Sequence, residues 1–449
     1  MIESERVTDA LRGAWMEARR DRQLHLLLIA FILLSLLWNY VTPIFEAPDE
    51  PEHLQYALFL ARSARLPNLW VEVPVAGMQA IQPPLYYAIA AVILRCHDSS
   101  MTYAPPTRNP DFAFEHPGNP PNYFLPVTES YDYVRVLRVL STLFGLITIV
   151  CAYLSAHLLN AGRGRAIVVA STVAFLPQFV FISSSLSSDP LSYALASIGF
   201  VWLLYLVQLP TLARRHLALF GFFCGVAFLG KYHAAMFLLL FGFPLLVIVR
   251  GRTWRRALTI GVYGAFGFLA VSGWFLIHNL VLYGDPIALK LWSVIVPPSA
   301  APSLFAPADI FYFTVALPMI LFQSFLGIFG WMSIYLPRVI YQGYAALWLC
   351  ALIGAIRGIA ARRWDICRQA LVLAPLPLYL FVVYTNLTHI FNQGRLFFPA
   401  LDALALLFVF GLSELPSPLR RTLLVAVPVF LLATNLYSLW LVFVTFASG

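Results

Sequence analysis

The sequence predicts an all-α, polytopic membrane protein, and three observations carry that reading. Hydrophobic residues make up 60% of the 449, and the mean hydropathy is +0.79. Only 11% are charged, against about 25% in soluble domains. Apolar runs of about 18 to 25 residues, the length that spans a bilayer, recur along the chain. Arginines cluster in alternate connections between them.

Residues 1–23 are charged, and the apolar run that follows lacks a small-residue cleavage site, so they read as a cytoplasmic segment and not a cleaved signal. Residues 24–449 read as a single transmembrane domain, with no Ser/Gly linker to a second one. About eleven spans are expected, near 24–42, 135–158, 166–184, 190–209, 217–231, 234–249, 257–279, 338–357, 369–386, 398–414 and 422–446. The fifth and sixth are short and can equally form one long kinked helix. Arg12, Arg19 and Arg20, Arg163 and Arg165, Arg214 and Arg215, Arg250 to Arg256, Arg357 to Arg368, and Arg420 with Arg421 all fall on one side. The positive-inside rule makes that side cytoplasmic. Loops at 43–134 and 284–337 are then external and hold most carboxylates. The net charge of +8 is thus a topology signal, and no nucleic-acid partner is expected. The five cysteines fall singly, with no metal spacing, and read as packing residues.

The first external loop has structure of its own. Glu50 to Arg65 reads as a short amphipathic helix with Leu54, Leu58 and Ala61 on one face. Gln82 to Leu94 opens with two prolines and reads as a second apolar helix, whose Tyr86 and Tyr87 suit a lipid or sugar at headgroup level. Tyr103 to Pro126, rich in Pro, Asn and aromatics, reads as a cap over the loop. Asp49 and Glu50 stand where the first apolar run ends, and His53 follows one helical turn later. Carboxylates at that depth are costly unless they have a function.

The text Ala47-Pro48-Asp49-Glu50-Pro51-Glu52-His53, followed by Gln82-Pro83-Pro84-Leu85-Tyr86-Tyr87, resembles the first loop of GT-C glycosyltransferases. These are multi-spanning enzymes that use polyprenyl-phosphate sugars, such as protein O-mannosyltransferases and the aminoarabinose transferase of lipid A. Further stations follow in order: Ser187-Ser188-Asp189-Pro190, Gly230-Lys231-Tyr232, Asn279 with Tyr283-Gly284-Asp285-Pro286, Ser324 to Trp331, and Gln393-Gly394-Arg395-Leu396-Phe397-Phe398-Pro399. The resemblance covers about 24 to 400. It implies a GT-C fold, a bacterial inner-membrane enzyme with its site facing the periplasm, a lipid-linked sugar donor, and a lipid, glycan or protein acceptor. In some members the second loop supplies a metal-binding carboxylate, which makes Asp189 a candidate ligand and a divalent metal a candidate cofactor.

The chemistry of the residues agrees. A sugar on a phosphate already has an acidic leaving group, so one carboxylate suffices as base and cations must hold the phosphate. Glycoside hydrolysis differs in needing a carboxyl pair about 5 to 9.5 Å apart. Asp49 is the expected base. Arg395 is the expected phosphate clamp through its paired donors. Gln393 accompanies Arg395, and Lys231, one of two lysines, is a second phosphate contact. Phe397 and Phe398 offer apolar surface for the first isoprene units. Glu50 is placed with Asp49 in the catalytic set, as a hydrogen-bonding partner or a metal ligand, and His53 is placed with the substrate-binding residues, where it can orient Asp49 or bind metal.

Plainer roles compete. Asp49 with Glu52 fits a helix capping box. Asp189-Pro190 fits a helix start, and Asp285-Pro286 fits a turn. Arg395 can snorkel to headgroups or pair with Asp402, two turns on. A flippase or transporter for a lipid-linked glycan is the other functional class, but the inverted repeats common in transporters are not evident.

Overall fold

The structure is a computed structural model, and it describes residues 2–97, 103–112, 122–125, 131–251, 253–295 and 307–447. Its main helices are α1 (Ile2–Arg20), α2 (Arg22–Val41), α3 (Glu50–Ser63), α4 (Leu85–His97), α5 (Asp132–Leu158), the bent pair α6 (Arg163–Ala174) and α7 (Pro177–Ser183), α8 (Asp189–Gln208), α9 (Arg214–Gly230), α10 (Tyr232–Arg250), α11 (Trp254–Tyr283), α12 (Asp309–Leu326), α13 (Arg338–Ala360), α14 (Ile366–Asn386), α15 (Gly394–Ser413) and α16 (Ser417–Ala447). A two-residue antiparallel pair, Ile328–Phe329 with Ile334–Tyr335, links α12 to α13. Among the described residues ten helices are long and apolar enough to cross a membrane, or eleven if α6 and α7 form one span bent by 62°. The chain is a multi-pass membrane protein.

Two details depart from the expected spans. Phe220 of α9 and Phe243 of α10 lie 5.0 Å apart, centroid to centroid, so the chain reverses at Lys231. The kinked-helix alternative is thereby excluded, and Lys231 is the apex of a helical hairpin. At 17 residues, α9 is short for a span. Conversely, α12 is long and apolar enough to cross, although its sequence lies inside the expected loop 284–337. Both its ends meet the same end of the bundle. Tyr312 donates to Asn386 Oδ1 at the close of α14, and Ser324 Oγ accepts from Gly394 N–H at the start of α15.

The opposite end gathers the arginines. Asp21, which caps α2, binds Arg163; Arg368 donates to the carbonyl of Leu159; Arg363 binds Glu414. α8 and α15 are the most enclosed spans, so the charges at their starts rest on a packed platform. α9 and α11 lie backbone to backbone, because a Cβ on Gly221 would collide with Gly264 O.

The first loop folds over the other end. Most of α3 is buried, including Leu54 and Leu58, so it is wedged into the protein and not laid along an interface by one face. The expected cap at 103–126 lies partly outside the described residues. Its described pieces pair through Asn109 N–H to Tyr123 O and Leu125 N–H to Thr107 O. Glu46 holds that pair by accepting from the N–H groups of Tyr123 and Phe124. Burial raises the Glu46 carboxyl to about 7, against the pull of those two hydrogen bonds.

Candidate active site

Asp49 precedes α3 in the left-handed backbone region, at φ 66°. Few L-residues tolerate that conformation, and Asp is among them. Its carbonyl accepts the His53 N–H, but its carboxylate caps nothing. Instead Asp49 Oδ2 takes a hydrogen bond of 2.7 Å from Arg395 Nη2. The capping-box reading is therefore wrong about the side chain.

Glu50 fixes this geometry from behind. Its carboxylate is fully buried and forms two parallel bonds with Arg138 of α5, 2.8 and 2.7 Å long. It also accepts from the N–H groups of Phe45 and Leu186. Arg138 in turn donates to the carbonyls of Asn39, Thr42 and Pro43, acceptors at and just past the end of α2. Glu50 thus ties together α2, α3, α5 and the turn before α8. Its oxygens have no access to a substrate, which corrects its place in the catalytic set. Arg138 escaped the sequence reading, though an arginine inside an apolar helix is itself a signal.

Four charges form a line in the site. Lys231 Nζ lies 2.6 Å from Asp189 Oδ1, Arg395 Nη1 3.3 Å from Asp189 Oδ2, and Arg395 Nη2 2.7 Å from Asp49 Oδ2. Two cations and two anions alternate, so the line is neutral. It runs from the hairpin apex through the enclosed starts of α8 and α15 to the strained turn before α3. The Asp189 side chain is 2% exposed and that of Asp49 33%, so the line opens at Asp49. Arg395 Nη1 is buried and makes no hydrogen bond of good geometry, despite its approach to Asp189. A donor capacity is left unused there. The guanidinium does not snorkel, and it does not pair with Asp402, whose two oxygens are buried without a hydrogen bond.

A metal does not fit Asp189. Each of its oxygens faces a cation, and among the described residues no three His, Cys, Asp or Glu side chains converge to hold an ion. Asp285 behaves as a turn residue, accepting from the N–H groups of Ile287 and Lys290.

The aromatic candidates serve the scaffold. Tyr86 and Tyr87 are fully buried, which corrects their assignment to substrate. Tyr87 OH lies 2.8 Å from His53 Nδ1 and fixes the ring against α4. Burial lowers His53 to about 3, so the imidazole is neutral beside the charged line. Trp331 donates to Phe45 O and stacks on Tyr123, joining the β-pair to the first loop. Phe398 is fully buried between Phe179, Tyr193 and Phe325, and Phe397 and Gln393 are half-buried. Gly394 is required for close approach to α12, because a Cβ would strike Phe325 N.

Glu52 is a site residue that the capping reading obscured. It lies three residues after Asp49, on the same side of α3. Its Oε2 is buried and unpartnered. Burial, then the charge of Asp49, raises its carboxyl to about 7. Beside the hairpin apex, an apolar cleft of about 510 Å³ opens between α3, α4, α9 and α11, with Leu60, Leu66, Leu85, Val92, Leu229 and Trp274 in its wall.

No family model matches the chain, and no curated protein matches it. Two solved structures share its fold: ArnT from Cupriavidus metallidurans in the apo state, and the same protein bound to undecaprenyl phosphate. Each aligns with a TM-score of 0.52, at 15% and 14% identity. The alignments cover 89% of this chain but 62% of the ArnT chain. With ArnT as its structural neighbour, the protein has the fold of the GT-C membrane glycosyltransferases.

Proposed function

We propose that the protein is a glycosyltransferase that moves a sugar from a polyprenyl phosphate to an acceptor hydroxyl at the Asp49 end of the bundle. The observation that carries this reading is the neutral line of alternating charge, with an unused guanidinium N–H at its centre and a carboxylate at its open end. A phosphate oxygen can bond Arg395 Nη1, and Lys231 can add a second contact. The apolar cleft beside Lys231 suits isoprene units. ArnT, of the same fold, has been solved with undecaprenyl phosphate bound, which supports a donor of this class.

The phosphate leaves without a general acid. Asp49 takes the proton from the acceptor hydroxyl as its oxygen attacks the anomeric carbon. A single displacement by that oxygen inverts the configuration. The acceptor is a lipid, a glycan or a protein hydroxyl. In a bacterial inner membrane the arginine-rich end faces the cytoplasm and the site faces the periplasm.

The test is transfer of radiolabelled sugar from defined polyprenyl-phosphate donors by purified protein in nanodiscs. Wild type should transfer, and Asp49→Asn should lose about 10²-fold or more, as expected for a positioned base. No transfer from any hexosyl or pentosyl donor, or a fully active Asp49→Asn, would refute the assignment.

A further inference from the structure

The proposed reaction releases a proton that the site must remove. The acceptor O–H bond breaks and its oxygen bonds to the anomeric carbon. The bond from that carbon to the donor phosphate breaks, and its electron pair stays on the phosphate oxygen. The products are a glycoside, a polyprenyl phosphate with one more negative charge, and one proton. Asp49 is open to solvent in the structure, but a donor and an acceptor that fill the opening cut it off from water. The proton must then pass to a neighbour.

We propose that Glu52 is that neighbour, a positioning residue that takes the proton from Asp49 and delivers it to water at the rim of the site. The inference rests on the transferase reading and adds a residue to it. The geometry is specific. Glu52 shares a side of α3 with Asp49, one turn away, and its Oε2 is buried with no hydrogen bond committed to it. Arg395 is the partner of Asp49, and Arg138 that of Glu50. Around Glu52, the turn before α3 contributes Asp49, and the two cap pieces contribute Tyr103 and Tyr123. Tyr103 OH donates to Pro51 O. The cap also carries a cation, Arg108, whose guanidinium lies 5.1 Å from the centre of the Tyr123 ring. Burial with the charge of Asp49, against a hydrogen bond from its own backbone N–H, leaves the Glu52 carboxyl near 7. A group at that value accepts and gives up protons near neutrality with little driving force wasted.

Two measurements on purified full-length protein in nanodiscs test this. The first is the pH dependence of transfer from radiolabelled undecaprenyl-phosphate donors, for wild type, Glu52→Gln and Glu52→Asp. Below its pKa Glu52 is already protonated and cannot accept, so the wild-type kcat should fall as pH drops through about 7. Glu52→Gln should lose that limb and about 10-fold or more in kcat at unchanged donor KM. Glu52→Asp should restore part of both. The second measurement needs no turnover. Infrared titration should show a protonated carboxyl band that ionises near pH 7 in wild type and is missing in Glu52→Gln. A Glu52→Gln profile of the same shape as wild type, or an unchanged infrared band, overturns the relay. An inactive wild type that still shows the Glu52 band would count against the transferase reading and leave the carboxyl assignment standing.

Discussion

Arg395 places Nη2 2.7 Å from Asp49 Oδ2 across 346 residues of sequence, while its Nη1 faces Asp189. One guanidinium therefore spans two carboxylates on different helices. A planar fork holds its donors at fixed positions and directions. An ammonium on a flexible stem is a compact point charge whose rotating donors do not fix both contacts or a paired grip on a phosphate.

Arg395→Lys is accordingly expected to weaken donor binding by about 1.5–3 kcal/mol, the range for hydrogen bonds to charged groups. Arg395→Ala should do at least as much, and should also leave the buried Asp189 with Lys231 as its one cation. Binding of undecaprenyl phosphate to purified protein in nanodiscs measures this. Unchanged affinity in both variants would move the phosphate contact to Lys231.

Adjacent carboxylates should behave differently. Glu50 and Arg138 are both completely buried, and removing one charge strands the other at a cost of about 3–5 kcal/mol. Glu50→Gln should thus lower the melting temperature sharply and reduce yield. Asp49→Asn should melt close to wild type, because that side chain is partly exposed and caps no helix. Equal melting of the two variants would contradict the division into a brace and a reacting group.

That division is also where sequence legibility ends. Charges at the ends of apolar runs are conspicuous, so Asp49, Lys231, Asp189 and Arg395 are all found without a structure. Their order in space is not, because contacts such as Asp49 with Arg395 depend on how α3, α8, α10 and α15 meet. Asp49 and Glu50 look alike in sequence. They point to opposite sides because the left-handed turn at Asp49 sends one carboxylate outward and the next into the core. Tyr86 and Tyr87 misled for a related reason, since the ring that suits a membrane surface suits a buried helix contact equally well. The α12 helix is apolar enough to count as a span, but the arginine pattern leaves no parity for another crossing. Its hydrogen bonds to Asn386 and Gly394 at one end of the bundle explain how both facts hold.

At the arginine-rich end Asp21 links α1, α2, α5 and α6. Arg163 is the main influence that holds its carboxyl well below the usual carboxylate range, with Tyr153 and the N–H groups of Gln23 and Leu24 assisting against burial. A carboxyl with a lowered folded pKa stabilises most above its unfolded value, about 3.9, and loses that contribution as pH falls towards the folded value. Asp21→Asn keeps an N-cap acceptor for α2 but removes the charge that Arg163 binds, so it should lower the melting temperature at pH 7. The gap between variant and wild-type melting temperatures should close as pH falls below about 4. A gap independent of pH would show that shape, and not charge, is what Asp21 supplies.

The last prediction concerns sidedness. Asn68 lies exposed just after α3, at the site end, and Ser417 lies exposed at the start of α16, beside Arg420 and Arg421. Arg338 opens α13, directly after the β-pair that Trp331 ties to Phe45 of the first loop. Native Cys96 is exposed and would label by itself, so Cys96→Ser supplies the background. In that background Asn68→Cys and Arg338→Cys should react with a membrane-impermeant maleimide on intact cells. Ser417→Cys should react only after permeabilisation. The arginine clusters predict this sidedness, and α12 adds a stricter condition, because a true crossing by α12 would put Asn68 and Arg338 on opposite faces. Labelling of Ser417→Cys alone on intact cells would invert the whole orientation and turn the site towards the cytoplasm. Labelling of Asn68→Cys without Arg338→Cys would make α12 a transmembrane span and separate Trp331 from the first loop that it braces here.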